Sequence, residues 1–304
     1  MKIPEFKIRT DLALEEREGL KEAAEEVSGV SFKKWEGKRS AAQITEVKVL
    51  NEHGAKALGK PMGSYLTLEA DKLLMPDEDF HSEVSDELAL LLKGLLKQKT
   101  GKNILVAGLG NQSVTPDSLG PRTVSNLCVS AEGLKAIAPG VMAQTGMETA
   151  RILLGIIKEV QPDLVIAIDA LAARSIHRLG TTIQVTDTGI HPGSGVGNHR
   201  HGLTRESLGV PVIAIGVPTV VGTAAIVHDT VSVLIQTLLE HAQTREIGGF
   251  LDQLDSDEQY RLICELLEPE FGQMYVTPPD IDQTIKAISY TISEAIHMAF
   301  LGGE

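Results

Sequence analysis

Three short runs, Ile104–Ala107, Leu164–Ile168 and Val212–Ile215, are continuously apolar. Each lacks the every-second-residue polarity of a half-exposed strand, so each predicts a strand buried on both faces. Helical spacing surrounds them: Leu88, Leu91, Leu92, Leu95 and Leu96 before the first, Met147–Val160 before the second, and a stretch within Ala224–His241 after the third. Such alternation predicts an α/β fold with a mostly parallel sheet and helices on both faces. Sheets of this kind collect ligands and chemistry at the carboxyl ends of their strands. Two of those ends carry an acid.

The first is Asp169, which stands where the run Leu164–Ile168 stops. The second is Asp117, in Gly108-Leu-Gly-Asn-Gln-Ser-Val-Thr-Pro-Asp117 beyond Ile104–Ala107. Pro121 lacks an N–H and fits a helix only in its first turn, so the next helix should start near Asp117. Asp is a favoured N-cap, and capping alone would explain either residue. Together they mean more. Two carboxylates brought close cannot both ionise cheaply, so one keeps a proton, which is the chemistry of an acid–base pair acting through water on a peptide bond.

Other motifs weigh less. The dinucleotide fingerprint needs a glycine where Ser113 stands, and no Walker-type Gly-Lys-Ser/Thr occurs, so a phosphate- or nucleotide-binding module is a weak alternative. In Asp187-Thr-Gly-Ile-His191-Pro-Gly-Ser-Gly-Val-Gly-Asn198 the glycines suit a cleft wall, and His191 is the histidine best placed to carry a proton or bind a metal. A lone loop histidine is more often only hydrogen-bonded. Glu148 falls in the first turn of the Met147–Val160 helix, where a negative charge is favourable.

The remaining chain reads as support. A helix is expected over Leu12–Val27, a solvated turn with one docked aromatic (Trp35) over Ser28–Ser40, and strands at Ala41–Leu50, Tyr65–Glu69 and Thr181–Val185. A polar connection should join the first two of these. Ser82 should cap the Leu-rich helix, with Thr100-Gly101-Lys102 ending it. Residues 244–280 form an acidic excursion or subunit contact, and a helix runs from Ile281 to about Leu301. Val210–Val227 carries no charge, but its Pro211, Gly216, Pro218 and Gly222 argue for strand, turn and helix start rather than a membrane span. No apolar core marks a signal peptide in MKIPEFKIRTD. The net charge of −13 argues against direct nucleic-acid binding. Cys128 and Cys264, far apart and without metal-type spacing, predict reduced core residues of a cytosolic protein.

A series of long blocks in order resembles the germination protease family of spore-forming bacteria. The blocks are Ile8-Arg-Thr-Asp-Leu-Ala13, Tyr65–Ala70, Gly108–Asn111 with Thr115-Pro-Asp117, Ala138-Pro-Gly-Val-Met142, Val165–Arg174, Asp187–Asn198 and Gly209–Val221. The resemblance implies a phosphorylase/hydrolase-like α/β fold shared with hydrogenase-maturation endopeptidases. It implies an aspartic-type endopeptidase, without cofactor, that degrades small acid-soluble DNA-protecting spore proteins in the spore core or forespore. It also implies a homotetramer made as a zymogen. By position, the family's catalytic acids fall on Asp117 and Asp169 and its self-processing point on Asp11–Leu12. Residues 1–11 would then be a propeptide and 12–304 a single peptidase domain. In that family the segment between Leu127 and Ala138 is longer, and an acidic residue stands where this chain has Gly222. The related maturation enzymes bind a metal through acids at comparable strand ends and a histidine, so a metal site of Asp117, Asp169 and His191 is the alternative within the hydrolases.

Overall fold

The computed structural model describes residues 10–19, 27–96, 103–130, 133–193, 201–241, 244–251 and 254–301. Its elements run α1 (Ala13–Glu18), β1 (Val30–Glu36), β2 (Gln43–Val49), α2 (Glu52–Leu58), β3 (Gly63–Glu69), α3 (Glu78–Leu95), β4 (Ile104–Gly108), α4 (Leu119–Asn126), β5 (Leu134–Ile137), α5 (Met142–Thr145), α6 (Thr149–Val160), β6 (Leu164–Ala173), β7 (Thr182–Thr186), α7 (Arg205–Leu208), β8 (Val212–Gly222), α8 (Thr223–Glu240), α9 (Arg245–Leu251), α10 (Ser256–Phe271), β9 (Tyr275–Val276) and α11 (Ile281–Phe300). Among the described residues the strands form one sheet in the order β1-β2-β3-β7-β8-β6-β4-β5, with β9 on the end of β8.

The three apolar runs are adjacent parallel strands, β4, β6 and β8, and β5 adds a fourth. Their side chains alternate between two cores. Ile104, Val106, Ile166, Ile168, Ile213 and Ile215 face α3 and α11, while Leu105, Ala107, Val165 and Ala167 face Leu153 and Ile157 of α6. Burial on both sides is why no polar alternation shows in these strands.

The expected α/β architecture is present, but the sheet is mixed rather than mostly parallel: β1, β2, β3 and β7 pair antiparallel, as does β7 with β8. The connection β1–β2 is too short for a parallel crossover, whereas β2–β3 is antiparallel although its connection holds helix α2. The stretch expected as a solvated turn, Ser28–Ser40, holds strand β1. Exposed Lys33 and Lys34 mark it as the sheet's edge, where charge discourages pairing with another chain. The polar connection before β3 contains α2, capped by the Asn51 side chain accepting from Gly54 N–H at 2.9 Å. Strand β5 was not expected.

Helix α3 starts earlier than Ser82, at Glu78, because Asp77 caps it by accepting from Phe80 N–H at 3.1 Å. Cys264 is buried, whereas Cys128 is exposed, since it lies past the end of α4 and not in a core. The predicted helix from Leu12 appears as α1. Its continuation over 20–26, residues 1–9 of the predicted leader, Thr100–Lys102 and the glycine loop over 194–200 lie outside the described residues. Among those described, no helix is long and apolar enough to cross a membrane, and Val210–Val227 is β8 followed by the start of α8.

Candidate active site

Strand β4 ends at Gly108, paired with Ile168, while β6 and β8 continue past it to Ala173 and Gly222. Asp169 therefore lies inside a strand, at the point where its neighbour stops, and is not the N-cap of a following element. The residue is 6% exposed, and its Oδ1 accepts from Ala170 N–H at 3.0 Å. A buried carboxylate next to a missing strand looks onto a crevice rather than a core.

The loop that leaves β4 brings the second acid to the same place. Gly108 and Gly120 let the start of α4 press onto the strands. A Cβ on Gly120 would lie 2.4 Å from the Leu109 backbone and 2.6 Å from Ile168 O, and one on Gly108 2.2 Å from Gly120 O. Gly108, a glycine of the incomplete nucleotide fingerprint, instead allows this close packing. Asp117 sits in a single 3₁₀ turn, Thr115–Asp117, just ahead of α4. Its Oδ2 accepts from Asn111 N–H at 2.7 Å, which folds the loop back on its own carboxylate.

Asp117 and Asp169 line one cavity of about 370 Å³, with Leu109, Gly110, Val114 and Thr219 among its walls. A third carboxylate residue lines it as well: Asp11. The Asp11 backbone N–H donates to Ala172 O, and Ala172 N–H donates to Asp11 Oδ2, both at 3.0 Å. This pairing uses the edge of β6 that β4 leaves open. Lys60 Nζ donates to Asp11 O at 3.0 Å and to Thr10 O at 3.3 Å, and Gln184 Nε2 donates to Asp11 O at 3.3 Å.

Leu12, fully buried, packs with Leu171, Ala173, Leu179, Val221 and Ala225, and Ala13 N–H donates to Gln184 Oε1 at 2.8 Å. Buried Glu15 fastens the segment from beyond. Its carboxylate accepts from the N–H groups of Arg174 (2.7 Å) and Ser175 (3.0 Å) and from the Thr10 hydroxyl, and pairs with Arg178 at 3.4 Å. Thr10–Glu18 is thus a docked segment rather than a frayed terminus.

His191 stands apart from the acids. It lines a neighbouring cavity of about 70 Å³ with Lys60, Tyr65, Gln184 and Thr188, and its ring lies over Gly202, where a Cβ would come within 2.5 Å of Nε2. Among the described residues no three His, Cys, Asp or Glu side chains gather as a metal ligand set, so the metal site of Asp117, Asp169 and His191 lacks its geometry. Tyr65 in this smaller cavity donates to Pro61 O at 2.9 Å, and burial, assisted by Asp187 and opposed by a hydrogen bond with Thr188, pushes its phenol up to about 12.

Glu148 is the N-cap residue of α6, but its side chain does not cap. It accepts from His201 N–H at 3.2 Å and pairs with the His201 ring, and that hydrogen bond holds its carboxyl below the ordinary value.

Lys60 and Gln184 were not singled out by the sequence reading. Lys60 lies in a connection with no local pattern. The one signal for Gln184 is a long amide set between two apolar residues, Ile183-Gln-Val185, and it is only 6% exposed.

A family model described as germination protease matches residues 8–246. A germination protease from Caldanaerobacter subterraneus subsp. tengcongensis is 48% identical, covering 97% of this chain and 95% of the relative. One from Clostridium perfringens is 40% identical over 97% and 95%, and one from Oceanobacillus iheyensis 36% identical over 97% and 94%. Among solved structures, the [NiFe] hydrogenase maturation protease HycI from Thermococcus kodakarensis KOD1 aligns with 42% of this chain and 80% of its own, at 22% identity and a TM-score of 0.32.

Proposed function

Because the chain belongs to the germination protease family, we propose that it is an aspartic-type endopeptidase whose acid–base pair is Asp117 and Asp169. The observation that carries this reading is one cavity lined by both residues, Asp169 from within β6 and Asp117 from the loop that leaves β4. One carboxylate, ionised, takes a proton from a water molecule as that water attacks the scissile carbonyl. The other, protonated, donates to the departing amine. A buried, partly apolar crevice strengthens both transfers by excluding bulk water.

The substrates in this reading are small acid-soluble spore proteins, and the place of action is the spore core or forespore. The enzyme would be a zymogen that cuts itself between Asp11 and Leu12, shedding residues 1–11. The presence of Asp11 in the cavity of the two acids supports that site. A tethered segment competes at high effective concentration, so its removal would open the cleft. Assembly as a homotetramer is supported by apolar side chains exposed on three consecutive helices: Val233 and Leu234 of α8, Ile247 of α9, and Leu262, Leu266 and Phe271 of α10.

The full-length protein, incubated at mildly acidic pH, should lose eleven residues and gain Leu12 as its terminus, read by mass and N-terminal sequencing. A chain that cuts substrate at full rate while still intact would remove the zymogen reading. Trimming elsewhere would remove the site. Dialysis against a strong chelator should leave activity unchanged. Loss restored by one divalent ion would return the assignment to a metal-dependent peptidase.

A further inference from the structure

The contacts on one carbonyl oxygen reach beyond the acid pair. Asp11 O belongs to the bond proposed to be cut, and two donors converge on it: the Lys60 ammonium at 3.0 Å and the Gln184 amide at 3.3 Å. The two come from distant parts of the chain, the connection before β3 and the middle of β7. Gln184 is 6% exposed and held in a strand paired on both sides, by β3 and β8, so its side chain is fixed from behind. Its other amide atom, Oε1, accepts from Ala13 N–H at 2.8 Å, so a single side chain grips the peptide on both sides of the Asp11–Leu12 bond.

Asp11 lines both the small cavity, with Lys60 and Gln184, and the large one, with Asp117 and Asp169. The residue accepts from the donors in one cavity and shares the other with the acids. That is the division of labour a hydrolysed amide needs: donors where negative charge develops, and an acid–base pair where water enters and the amine leaves.

We propose that Lys60 and Gln184 are catalytic residues that bind the oxyanion formed when the Asp11–Leu12 bond is cut. The inference rests on the reading of Asp117 and Asp169 as the acid–base pair and of Asp11–Leu12 as a bond they cut. Water oxygen bonds to the Asp11 carbonyl carbon, its proton passes to the ionised carboxylate, and the carbonyl electron pair moves onto the oxygen held by Lys60 and Gln184. When that pair returns, the carbon–nitrogen bond breaks and the protonated carboxyl delivers its proton to the Leu12 nitrogen. The products are the Asp11 carboxyl group and the Leu12 amine, and no co-reactant other than water is used. A fixed cation and a fixed amide dipole need no rearrangement as the charge appears, and removal of one such donor costs roughly 100- to 1,000-fold in rate.

The test is the rate of self-cleavage in full-length Lys60→Met, Lys60→Arg and Gln184→Glu, followed by mass. Hydrogen exchange of residues 10–18 is measured in parallel to report whether the segment stays docked. Gln184→Glu keeps the acceptor for Ala13 N–H, removes the donor and sets a carboxylate where the oxyanion forms. Lys60→Met and Gln184→Glu should each slow cleavage roughly 100-fold or more with protection of residues 10–18 retained, and Lys60→Arg should recover much of the rate. Cleavage at the wild-type rate in Lys60→Met and Gln184→Glu overturns the proposal. So does slow cleavage accompanied by lost protection, because Lys60 and Gln184 would then be anchors only. An unmodified chain that never cuts Asp11–Leu12, or an Asp169→Asn chain that still does, overturns the underlying acid-pair reading instead, and neither result involves the Lys60 or Gln184 variants.

Discussion

The two halves of the sheet solve different problems with the same backbone. In the parallel half, β5-β4-β6-β8, the central strands are sealed on both faces and end at different heights. The step between β4 and β6 leaves an open edge, and the acids sit on either side of it. In the antiparallel half, β1-β2-β3-β7, each strand lies beside a chain neighbour or closes onto the parallel half, and the outer edge is exposed and basic. That half carries no acid of the pair. It supplies the groups that hold the docked segment, Lys60 ahead of β3 and Gln184 on β7. A half that carries the acids is thus set against a half that positions a peptide.

The largest expected effect of a substitution on stability is at Gly120. Alanine there would put a Cβ 2.4–2.6 Å from backbone atoms of Leu109 and Ile168, which cannot rotate away. Gly120→Ala should cost about 3 kcal/mol or more and displace Asp117, so denaturant unfolding and proteolysis should both report the loss. Wild-type values in both would mean the close approach of α4 to the strands does not set the site.

A smaller effect is expected at Tyr65 of β3. Its phenol, pushed up to about 12 by burial, binds its proton more tightly in the folded chain than in the unfolded one, where the ordinary value is near 10. The neutral form therefore stabilises the native state fully below about pH 10. That contribution is lost as pH rises from about 10 to about 12 and amounts to about 2–3 kcal/mol. Stability measured across that interval should fall more steeply in the wild type than in Tyr65→Phe by that amount. Parallel curves would remove the account of Tyr65.

The smallest effect belongs to the edge. Lys34→Thr on β1 should change stability by less than about 0.5 kcal/mol. It should instead raise self-association, measured by light scattering, because a charge guarding an unpaired strand is gone. A large loss of stability with no association would place β1 among the packed strands.

This contrast also governs what could be read from the residues. β4, β6 and β8 were legible because burial on both faces writes a continuous apolar run, and the two acids were legible because they follow such runs. Even so, the run Leu164–Ile168 understated β6, which extends to Ala173 with Asp169 inside it. β5 is four residues with a lysine, Leu134-Lys-Ala-Ile137, too short to show a period. β1 was masked by Lys33 and Lys34, whose charges suggest a solvated turn until an edge strand is considered. α2 is seven residues long with Gly54 inside it, and its evidence is a cap rather than a pattern. Lys60 and Gln184 had no local signal because their meaning lies in one contact. Gln184 meets Asp11 across 173 positions of chain. Only the fold brings them together.

The central claim is that Asp117 and Asp169 act together from the step between β4 and β6. Asp117→Asn and Asp169→Asn, purified as full-length chains and assayed on a small acid-soluble spore protein, test it most directly, with circular dichroism as the control for folding. The account predicts that each substitution lowers turnover roughly a thousandfold or more while the spectrum stays that of the wild type, because either acid alone lacks its proton partner. Near wild-type turnover in either variant would contradict it.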